Sequence, residues 1–494
     1  MSSDECDYSW RMRTAQDLVE TMRKHRSDLP NVEAKSARGG FPASVIPTLS
    51  ALSNLPGGGW IVLGVDEHQG FAPVTLDNPA ELVHTLVSKA RQGFDPPVAI
   101  EANIDIVDGH QVVLVRIGET PPSAKPCRIV STGDAYMRFW DGDYRLSEIE
   151  IQGFLANRTQ PTFDRDAVPG AALADLDAHL LQSLMLTARR SDSRLTRIDD
   201  DRVLLRKLGV LTDDDSVTLA GVLALGDYPQ QWFPNFVIQA AVEDDGDDRK
   251  DVRFSDARRF SGPIPVMLDE ALAWVRQRGR ERIVNAPDGR VQSEFDYPTI
   301  AVRELLSNAL VHRDLAPWAA SRAIELRLRR DRFVLTNPGG LFGVTIDRLG
   351  HEQLTSARNL SLVRLCQYVE LRDGRVVEML ASGIPEVLRS VNEAGLPAPT
   401  FLDQGLRFTA ILFRKRTRAE GTPVAQTSHT GKLTPAELRI VEAIAAGAST
   451  VTEIAAVLGR SDSAVQKTLQ RLRRSGKVEI SGGRGAHHTR YTLN

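Results

Sequence analysis

The sequence predicts an α+β chain built from several domains, and three observations carry that prediction. Residues 302–310 repeat apolar positions at helical spacing, and a β-rich run from 333 ends in a glycine turn at 339–340. The first 157 residues alternate helices with short apolar strands. The last 60 residues repeat short helices and end in two short strands. A length of 494 residues allows about three such domains.

Composition indicates a globular protein with an uneven charge distribution. Hydrophobic residues make up 42% and charged residues 25% of the chain. The net charge is −3, yet the segment from Lys415 onward carries 13 basic and 6 acidic residues, or +7. The remainder is therefore −10. A basic C-terminal module on an acidic body is typical of a nucleic-acid binder with a regulatory core.

Cysteine spacing and hydropathy predict a cytoplasmic protein without a membrane segment. The three cysteines are far apart, which argues against a metal site or a disulfide framework. The first residues are polar and acidic, unlike a signal peptide. No apolar run reaches the roughly 18 residues that a membrane span needs.

Residues 1–157 are predicted to form the first domain. Helices are expected at 8–25, 44–55 and 79–92, and strands at 60–65, 98–106, 111–117 and 136–140. This segment resembles the Schlafen-type AlbA-like domain through an E-x-K motif, a Gly-Gly pair before a strand, and a G-V-D motif. The matching residues are Glu33, Lys35, Gly58, Gly59, Gly64, Val65 and Asp66.

The resemblance implies contact with DNA or RNA, and some members of the family are RNA nucleases. Their three carboxylates would fall on Asp28, Glu33 and Asp66, where a divalent metal could activate water. The alternative is that Glu33 and Lys35 form a structural pair and that Asp66 starts a turn. Arg138 is either a phosphate contact or a solvated side chain.

Residues 158–298 are predicted to connect this domain to the next. Helices are expected at 174–188, 200–208 and 262–279, and a strand at 237–242. The acidic run 243–251 is predicted to be a solvated loop.

The third segment, 299–414, carries the most specific motif. Glu304 and Asn308 lie four residues apart, so a helix stacks their side chains on one face. A carboxylate can orient or deprotonate water, and a neighbouring amide oxygen can bind Mg²⁺. The strand that ends at Asn337 leads into Gly339 and Gly340, whose backbone can approach a ligand closely. The alternative is a capped amphipathic helix followed by a turn.

These motifs resemble the GHKL-type α/β sandwich of gyrases, histidine kinases and MutL, and most closely its RecG-like C-terminal branch. The segment 211–226 also matches the sequence stretch with which that family begins. This part of the family holds a sheet that is expected to pack beside the nucleotide fold. The resemblance implies an ATP site with Mg²⁺ on Asn308 and water activation by Glu304. It assigns further nucleotide-binding residues to His312, Arg313, Asn337, Gly339, Gly340, Arg358 and Gly383.

Two departures from the family pattern favour nucleotide binding over rapid hydrolysis. Asn337 replaces an adenine-reading Asp, and an amide accepts a hydrogen bond less strongly than a carboxylate. The later Gly-Thr-Gly box reads Ala-Ser-Gly, ending at Gly383. Residues 344–360 are expected to form a mobile lid in which Arg358 either reaches phosphates or is solvated. A helix at 378–389 and a strand at 408–413 complete the segment. No Walker A sequence occurs, so helicase activity is not implied.

Residues 415–432 are predicted to be a linker, and residues 433–494 a winged helix-turn-helix that resembles bacterial transcriptional regulators. Helices are expected from 434, at 452–458 and at 461–474, followed by a two-stranded wing. The alternative role for this domain is a protein interface. If it binds DNA, the residues that face the major groove or the phosphates are Ser463, Gln466, Lys467, Gln470, Arg471, Arg474 and Arg484.

Together these patterns lead to one main hypothesis and two rivals. The main hypothesis is an ATP-binding, DNA-binding transcriptional regulator that acts as a homo-oligomer, with weak ATPase activity left open. The first rival is a metal-dependent nuclease gated by the ATP-binding domain. The second is a degenerate nucleotide fold that serves only as a scaffold.

Overall fold

The structure is a computed structural model that describes most of the chain up to residue 414 and a smaller part beyond it. The chain divides into two compact units, Met1–Lys415 and Arg416–Asn494. The described residues are 14–25, 29–139, 142–243, 255–279, 281–285, 291–350, 356–371, 374–377, 383–414, 440, 444, 450–458, 465–466, 468–469, 472, 478–481 and 490–493.

The larger unit begins with a four-stranded sheet in the order β1-β2-β7-β6. Strands β1 and β2 are parallel, since helix α2 crosses between them, and the other pairs are antiparallel. The elements of this layer are α1 (Ala15–His25), β1 (Val32–Lys35), α2 (Val45–Asn54), β2 (Gly59–Leu63), α3 (Pro79–Gln92), β6 (Ile100–Val107) and β7 (His110–Ile117).

Three short strand pairs and one helix complete this region. Helix α4 starts at a capping box, in which Ser147 and Glu150 satisfy each other's backbone N–H groups. The elements are β3 (Val65–Asp66) with β4 (Ala72–Pro73), β5 (Phe94–Asp95) with β8 (Arg128–Ile129), β9 (Tyr136–Phe139) with β10 (Gly142–Arg145), and α4 (Glu148–Ala156).

Apolar cores lie on both faces of the four-stranded sheet because side chains alternate along each strand. On β2, Val62 joins the core that includes α1, whereas Ile61 joins the core that includes α2. The second core also takes in Trp318 and Leu406, which come from far along the chain. The N-terminal domain therefore packs directly on residues of the nucleotide segment.

Four helices follow the first domain. Side chains of Asp177, Asp200 and Thr218 cap three of them by accepting hydrogen bonds from first-turn N–H groups. The helices are α5 (Ala178–Ser191), α6 (Ser193–Thr196), α7 (Asp201–Leu208) and α8 (Leu219–Leu225).

A six-stranded sheet in the order β12-β11-β15-β16-β20-β19 forms the second layer. Only the β11–β15 pairing is parallel. The strands are β11 (Ile238–Val242), β12 (Ser255–Phe260), β15 (Ile324–Leu328), β16 (Arg332–Pro338), β19 (Thr400–Asp403) and β20 (Arg407–Phe413).

Helices pack on one face of this sheet and bury its main core. On β16, Phe333 and Leu335 belong to that core, so the period of two also turns Asn337 toward the helices. The covering helices are α9 (Ile264–Arg278), α10 (Thr299–His312), α11 (Leu360–Cys366) and α12 (Gly383–Glu393). Two hairpins are attached: β13 (Glu281–Asn285) with β14 (Val291–Phe295), and β17 (Glu370–Leu371) with β18 (Gly374–Arg375).

Several expectations about the middle of the chain are corrected. Strands β11 and β12 do not form a separate sheet beside the nucleotide fold, because β11 pairs with β15 and extends the same sheet. Strands β12 and β19 were not predicted. Helix α12 runs on to Glu393 instead of ending at 389, and residues 378–382 lie outside the described residues. Of the acidic run, only Glu243 is described, and it pairs with Arg327 and Arg329.

The smaller unit has a core of its own. Helix α13 (Val451–Leu458) begins where Thr450 and Glu453 exchange capping hydrogen bonds. Strand β21 (Val478–Ser481) pairs with β22 (Arg490–Leu493), which agrees with the predicted wing. Residues of the predicted first and third helices enter this core at Ile440, Ile444, Val465, Leu469 and Leu472.

Candidate functional site

A cavity of about 490 Å³ opens between α10, the loop after β16, α11 and the first turn of α12. This volume is in the usual range for small-molecule sites. Eight of the nucleotide-site residues predicted from the sequence line it, namely Glu304, Asn308, His312, Asn337, Gly339, Gly340, Arg358 and Gly383.

Helix α10 supplies one polar wall of the cavity. Its apolar stripe is buried in the main core, so the residues at 304, 308 and 312 are presented together on the cavity side. A methyl group added at Gly383 would lie 3.2 Å from Asn308 Nδ2 and 3.4 Å from Glu304 Oε2. The N-terminus of α12 therefore lies directly against the carboxylate and amide of Glu304 and Asn308.

Asn337 is the polar group on the strand floor of the cavity. Its side chain is 7% exposed, and its Oδ1 atom has no hydrogen-bond partner among the described residues. Buried polar atoms are almost always paired in folded proteins. This oxygen is enclosed by protein atoms, so Asn337 contributes to the cavity wall without offering this acceptor to it.

The glycine loop after β16 is shaped by close backbone contacts. Gly339 has φ +93°, and a Cβ there would approach the Asp314 Cβ to 2.8 Å. A Cβ at Gly340 would overlap the Asp403 carboxylate and the Gly405 carbonyl oxygen. These positions need glycine for packing as well as for access to a ligand.

Asp403 braces that loop from β19. Its carboxylate accepts hydrogen bonds from Leu341 N at 3.1 Å and from Gly405 N at 2.9 Å. Burial nevertheless raises the pKa of Asp403 to about 6. The sequence reasoning missed this residue, because nothing local distinguishes it from any other strand-end aspartate.

His312 is a neutral group of the cavity wall. Burial, together with the nearby Arg358 guanidinium, lowers the pKa of its imidazole to about 4. It therefore offers a hydrogen-bond donor and an acceptor at neutral pH, and not a positive charge.

Arg313 points away from the cavity that its neighbour lines. Its guanidinium donates to the carbonyl oxygens of Asn235, Ala319 and Arg322 and stacks on Phe236 at 4.9 Å. The backbone turns out of the helix after His312, which sends the next side chain to the other side. This placement gives Arg313 a structural contact and does not bring it to the predicted nucleotide site.

Arg358 is not solvated, in contrast to one of the two alternatives for it. Its side chain is 2% exposed, and Nη1 lies 2.8 Å from Asp314 Oδ2. Nη2 donates to the Gly340 carbonyl at 2.7 Å, and Nη1 also donates to Asn157 Oδ1. Asn359 beside it is 1% exposed. The burial of Arg358 and Asn359 argues against a lid at these two positions, and residues 351–355 lie outside the described residues.

The Asp314–Arg358 pair also joins the cavity wall to the first domain. Asp314 accepts hydrogen bonds from Asn157 Nδ2 and from Trp318 Nε1, both at 3.1 Å. Trp318 is buried in the core of the first domain. We call Asn157, Asp314, Trp318 and Arg358 the junction. Asp314 directly follows the predicted residues His312 and Arg313 but was given no role, and Asn157 carries no sequence signal.

The predicted nuclease carboxylates are not gathered into a metal site in the part of the chain that is described. Glu33 is 4% exposed and pairs with Lys35 and with Arg138, whose Nη1 lies 2.5 Å from Glu33 Oε2. Burial by itself raises the pKa of Glu33. The charges of Arg138 and Lys35 outweigh that effect and hold the pKa of Glu33 below its usual value. Asp66 caps a turn by accepting from His68 N at 3.0 Å. Asp28 lies outside the described residues.

These contacts match the structural alternative for the first domain. Arg138 is not solvated, since it is 5% exposed and its Nη1 also lies 3.1 Å from Asp143 Oδ1. Asp143 accepts in turn from the Thr48 hydroxyl at 2.6 Å. No group of three His, Cys, Asp or Glu side chains suited to a metal ion occurs among the described residues.

Of the proposed DNA contacts, one falls within the described residues. Gln466 is helical and exposed, as a groove-facing side chain must be. The other six lie outside the described residues: Ser463, Lys467, Gln470, Arg471, Arg474 and Arg484. The described helices include none long and apolar enough to cross a bilayer.

Comparisons with protein families give three matches along the chain. Residues 24–147 match "Schlafen, AlbA_2", residues 321–412 match "Putative ATP-dependent DNA helicase recG C-terminal", and residues 432–486 match "MarR family". The predicted architecture and fold class are confirmed: a Schlafen AlbA_2 domain, a RecG-like nucleotide-binding domain and a winged helix follow one another. No curated protein matches the chain.

Two solved structures are similar at low identity. The DIP2311 protein from Corynebacterium diphtheriae is 15% identical, with 94% of both chains covered and a TM-score of 0.37. The N-terminal domain of a "Putative ATP-dependent DNA Helicase RecG-related Protein" from Nitrosomonas europaea is 26% identical. That match covers 28% of this chain and 95% of the other, with a TM-score of 0.23.

Proposed function

We propose that this chain is a nucleotide-responsive, nucleic-acid-binding regulator that acts on transcription. Its ATP and Mg²⁺ would occupy the cavity beside α10. The observation that carries this proposal is the convergence of Glu304, Asn308 and the N-terminus of α12 in one cavity that Asn337 also lines.

The cavity offers a different partner to each part of a nucleotide. The apolar side chains of Leu335, Phe408 and Ala410 suit the faces of a base, and Asn337 suits its polar edge. Gly383 and Ile384 bring the first turn of α12 to the cavity, and the free N–H groups of such a turn attract phosphate.

Asn308 and Glu304 are the residues suited to the reactive end. The Asn308 oxygen would hold Mg²⁺, which offsets phosphate charge when bound. The Glu304 carboxylate would orient a water molecule or accept its proton. Because an ionised Glu304 would repel phosphate, we expect the metal ion to be required for tight binding.

The flanking domains supply the nucleic-acid part of the proposal. A winged helix and an AlbA_2 domain both belong to classes that contact nucleic acid, and the segment from Lys415 is basic. We propose that Gln466 and the neighbouring predicted residues of the third helix contact DNA.

The junction supports communication between the nucleotide and the first domain. One buried ion pair contacts the glycine loop through the Gly340 carbonyl and contacts α4 through Asn157, which follows that helix. A ligand that shifts the glycine loop must therefore act on the packing of the first domain. Nuclease activity is not proposed, since Glu33 is held by Lys35 and Arg138.

The test is calorimetry of ATP with Mg²⁺ on the full chain. We expect micromolar binding by the wild type and at least a tenfold loss in Asn308→Ala. Asn392→Ala removes an exposed asparagine on α12 and is the matched control, expected to bind like the wild type. Absence of binding by the wild type would overturn the proposal and leave the fold as a scaffold.

DNA affinity is then measured by fluorescence anisotropy with and without saturating ATP. We expect ATP to change the affinity of the wild type at least threefold and to leave that of Asn308→Ala unchanged. Equal affinities in both conditions would contradict the nucleotide-responsive part of the proposal.

A further inference from the structure

Strand β6 forms one edge of the four-stranded sheet. In the part of the chain that the structure describes, it pairs with β7 and with no other strand. Gly118 N donates to Ala99 O at 2.8 Å, and hydrogen-bonded pairs alternate with non-bonded pairs along an antiparallel ladder. The even-numbered residues from 100 to 106 therefore direct their backbone N–H and C=O groups away from β7, toward the open side of the sheet.

The same even-numbered residues carry apolar side chains. Ile100 and Ala102 are partly buried against the core that includes α2. By the period of two along a strand, Ile104 and Ile106 lie on the same face, and they are 47% and 60% exposed. An edge strand that presents both unpaired backbone groups and exposed isoleucines is a template for pairing with another strand.

One hydrogen bond limits the length of this free edge. Asp105 Oδ1 accepts from Ile106 N at 2.8 Å, and Asp105 Oδ2 accepts from Ala15 N at 2.8 Å. The backbone N–H group of Ile106 is therefore already satisfied. A partner strand that leaves this bond intact pairs with residues 100–104, and Ala102 is the centre of that stretch.

The side chains on the other face of β6 show that the edge is complementary to itself. Antiparallel pairing of two copies about Ala102 places Asn103 opposite Glu101 of the second copy, where the amide can donate to the carboxylate. A register centred on Asn103 would instead place Glu101 opposite Asp105, and like charges directly opposite each other are destabilising. The first register avoids that repulsion.

We propose that two copies of this chain associate through β6, as antiparallel strands related by a two-fold axis at Ala102. In this register Ile104 packs opposite Ile100 of the second copy, and the two four-stranded sheets become one continuous sheet. The proposal goes beyond the nucleotide function and does not depend on it. Such a dimer carries two winged helices, one for each half of a two-fold-symmetric DNA site.

Sedimentation velocity of the full chain without nucleotide tests the proposal. We expect a concentration-dependent equilibrium between monomer and dimer in the wild type. The dimer should be at least about tenfold weaker in Ile104→Lys, because this change places a charge in an apolar contact of the edge. Leu186→Lys on α5 introduces the same charge at a side chain that is 49% exposed, and this matched control should dimerise like the wild type.

Substitutions of Asn103, whose side chain is exposed, test the register. Asn103→Lys should strengthen the dimer by about threefold, because the ammonium group faces Glu101 of the second copy. Asn103→Asp should weaken the dimer by a similar factor, because it places two carboxylates opposite each other. A general loss of folding cannot produce effects of opposite sign, and effects of the same sign would overturn the register.

Two results would overturn the interface itself. One is a wild type that stays monomeric at every concentration, whether the edge is then covered by residues 1–13 or by another protein. The other is association that Ile104→Lys leaves unchanged while its melting temperature, followed by circular dichroism, matches that of the wild type. Because no nucleotide is present in these measurements, neither result bears on the proposed binding of ATP.

Discussion

Replacing Arg358 by Met should destabilise the larger unit far more than removing a surface arginine. The guanidinium contacts Asp314 at 2.8 Å, the Gly340 carbonyl at 2.7 Å and Asn157, and the side chains of the ion pair are 2% and 1% exposed. Methionine fills a similar volume but leaves the Asp314 charge buried without its cation. Breaking such a pair costs about 3–5 kcal/mol of unfolding free energy.

The matched control is Arg389→Met on α12. Arg389 pairs with Glu386 and Glu393, but its side chain is 52% exposed. Exposed pairs of this kind contribute about 0–1 kcal/mol. The two substitutions remove the same charge from the same unit. The difference between their losses of unfolding free energy therefore measures the effect of burial.

Urea denaturation of the full chain, followed by circular dichroism and tryptophan fluorescence, measures the two losses. Trp318, which donates to Asp314, is one of the six tryptophans that contribute to the fluorescence. Adding Asp314→Asn to Arg358→Met should recover part of the loss, since no unpaired charge then remains. A loss below about 1 kcal/mol for Arg358→Met would refute the reasoning that the buried pair holds the junction.

Three further outcomes follow from the same contacts. Gly340→Ala should weaken ATP binding, measured by calorimetry, at least about tenfold, because the added methyl group overlaps the Asp403 carboxylate. The control is Gly39→Ala, which should bind ATP like the wild type because no atom lies within 4 Å of the added methyl group. The free energy of unfolding of Asp403→Asn should increase relative to that of the wild type as the pH rises from about 4 through about 6. The raised pKa of Asp403 means that its favourable contribution is present at low pH and is lost across that window, by at most roughly 3 kcal/mol in urea titrations at each pH. Asn157→Ala should keep the ATP dissociation constant within about threefold of the wild type. It should reduce the ATP-dependent change in nucleic-acid affinity, which is measured by anisotropy. An unchanged response to ATP would contradict the coupling role of the junction.

The parts of the site that the sequence predicted are those fixed by local geometry. Glu304 and Asn308 are one helical turn apart, and any amphipathic helix with a buried apolar stripe presents them together. Asn337 was assigned through the family resemblance, and the period of two places it on the same face of β16 as Phe333 and Leu335. The turn after Asn337 was predicted from Gly339 and Gly340, because glycines mark turns.

The parts that the sequence did not predict depend on partners distant in the chain. The guanidiniums of Arg313 and Arg358 look like phosphate ligands in a motif, and only the fold shows that carbonyl oxygens and Asp314 already surround them. Glu33 and Arg138 are 105 residues apart, and no local pattern pairs them. The extension of the nucleotide sheet by β11 is likewise a non-local pairing.

The junction also limits which parts of the site can respond to a nucleotide. Asp314 and Arg358 form a buried pair whose rupture costs about 3–5 kcal/mol, which a ligand can supply only through an equal difference in its affinity for the two states. Such a difference corresponds to a factor of about 10² to 10⁴ in binding. A weaker preference must leave the pair intact. The glycine loop, Arg358 and the first domain would then move together, and the response would be carried by the cavity elements that the junction does not hold. The first turn of α12 is the element best placed for this, because Gly383 lies against Asn308 and Glu304 in the cavity wall.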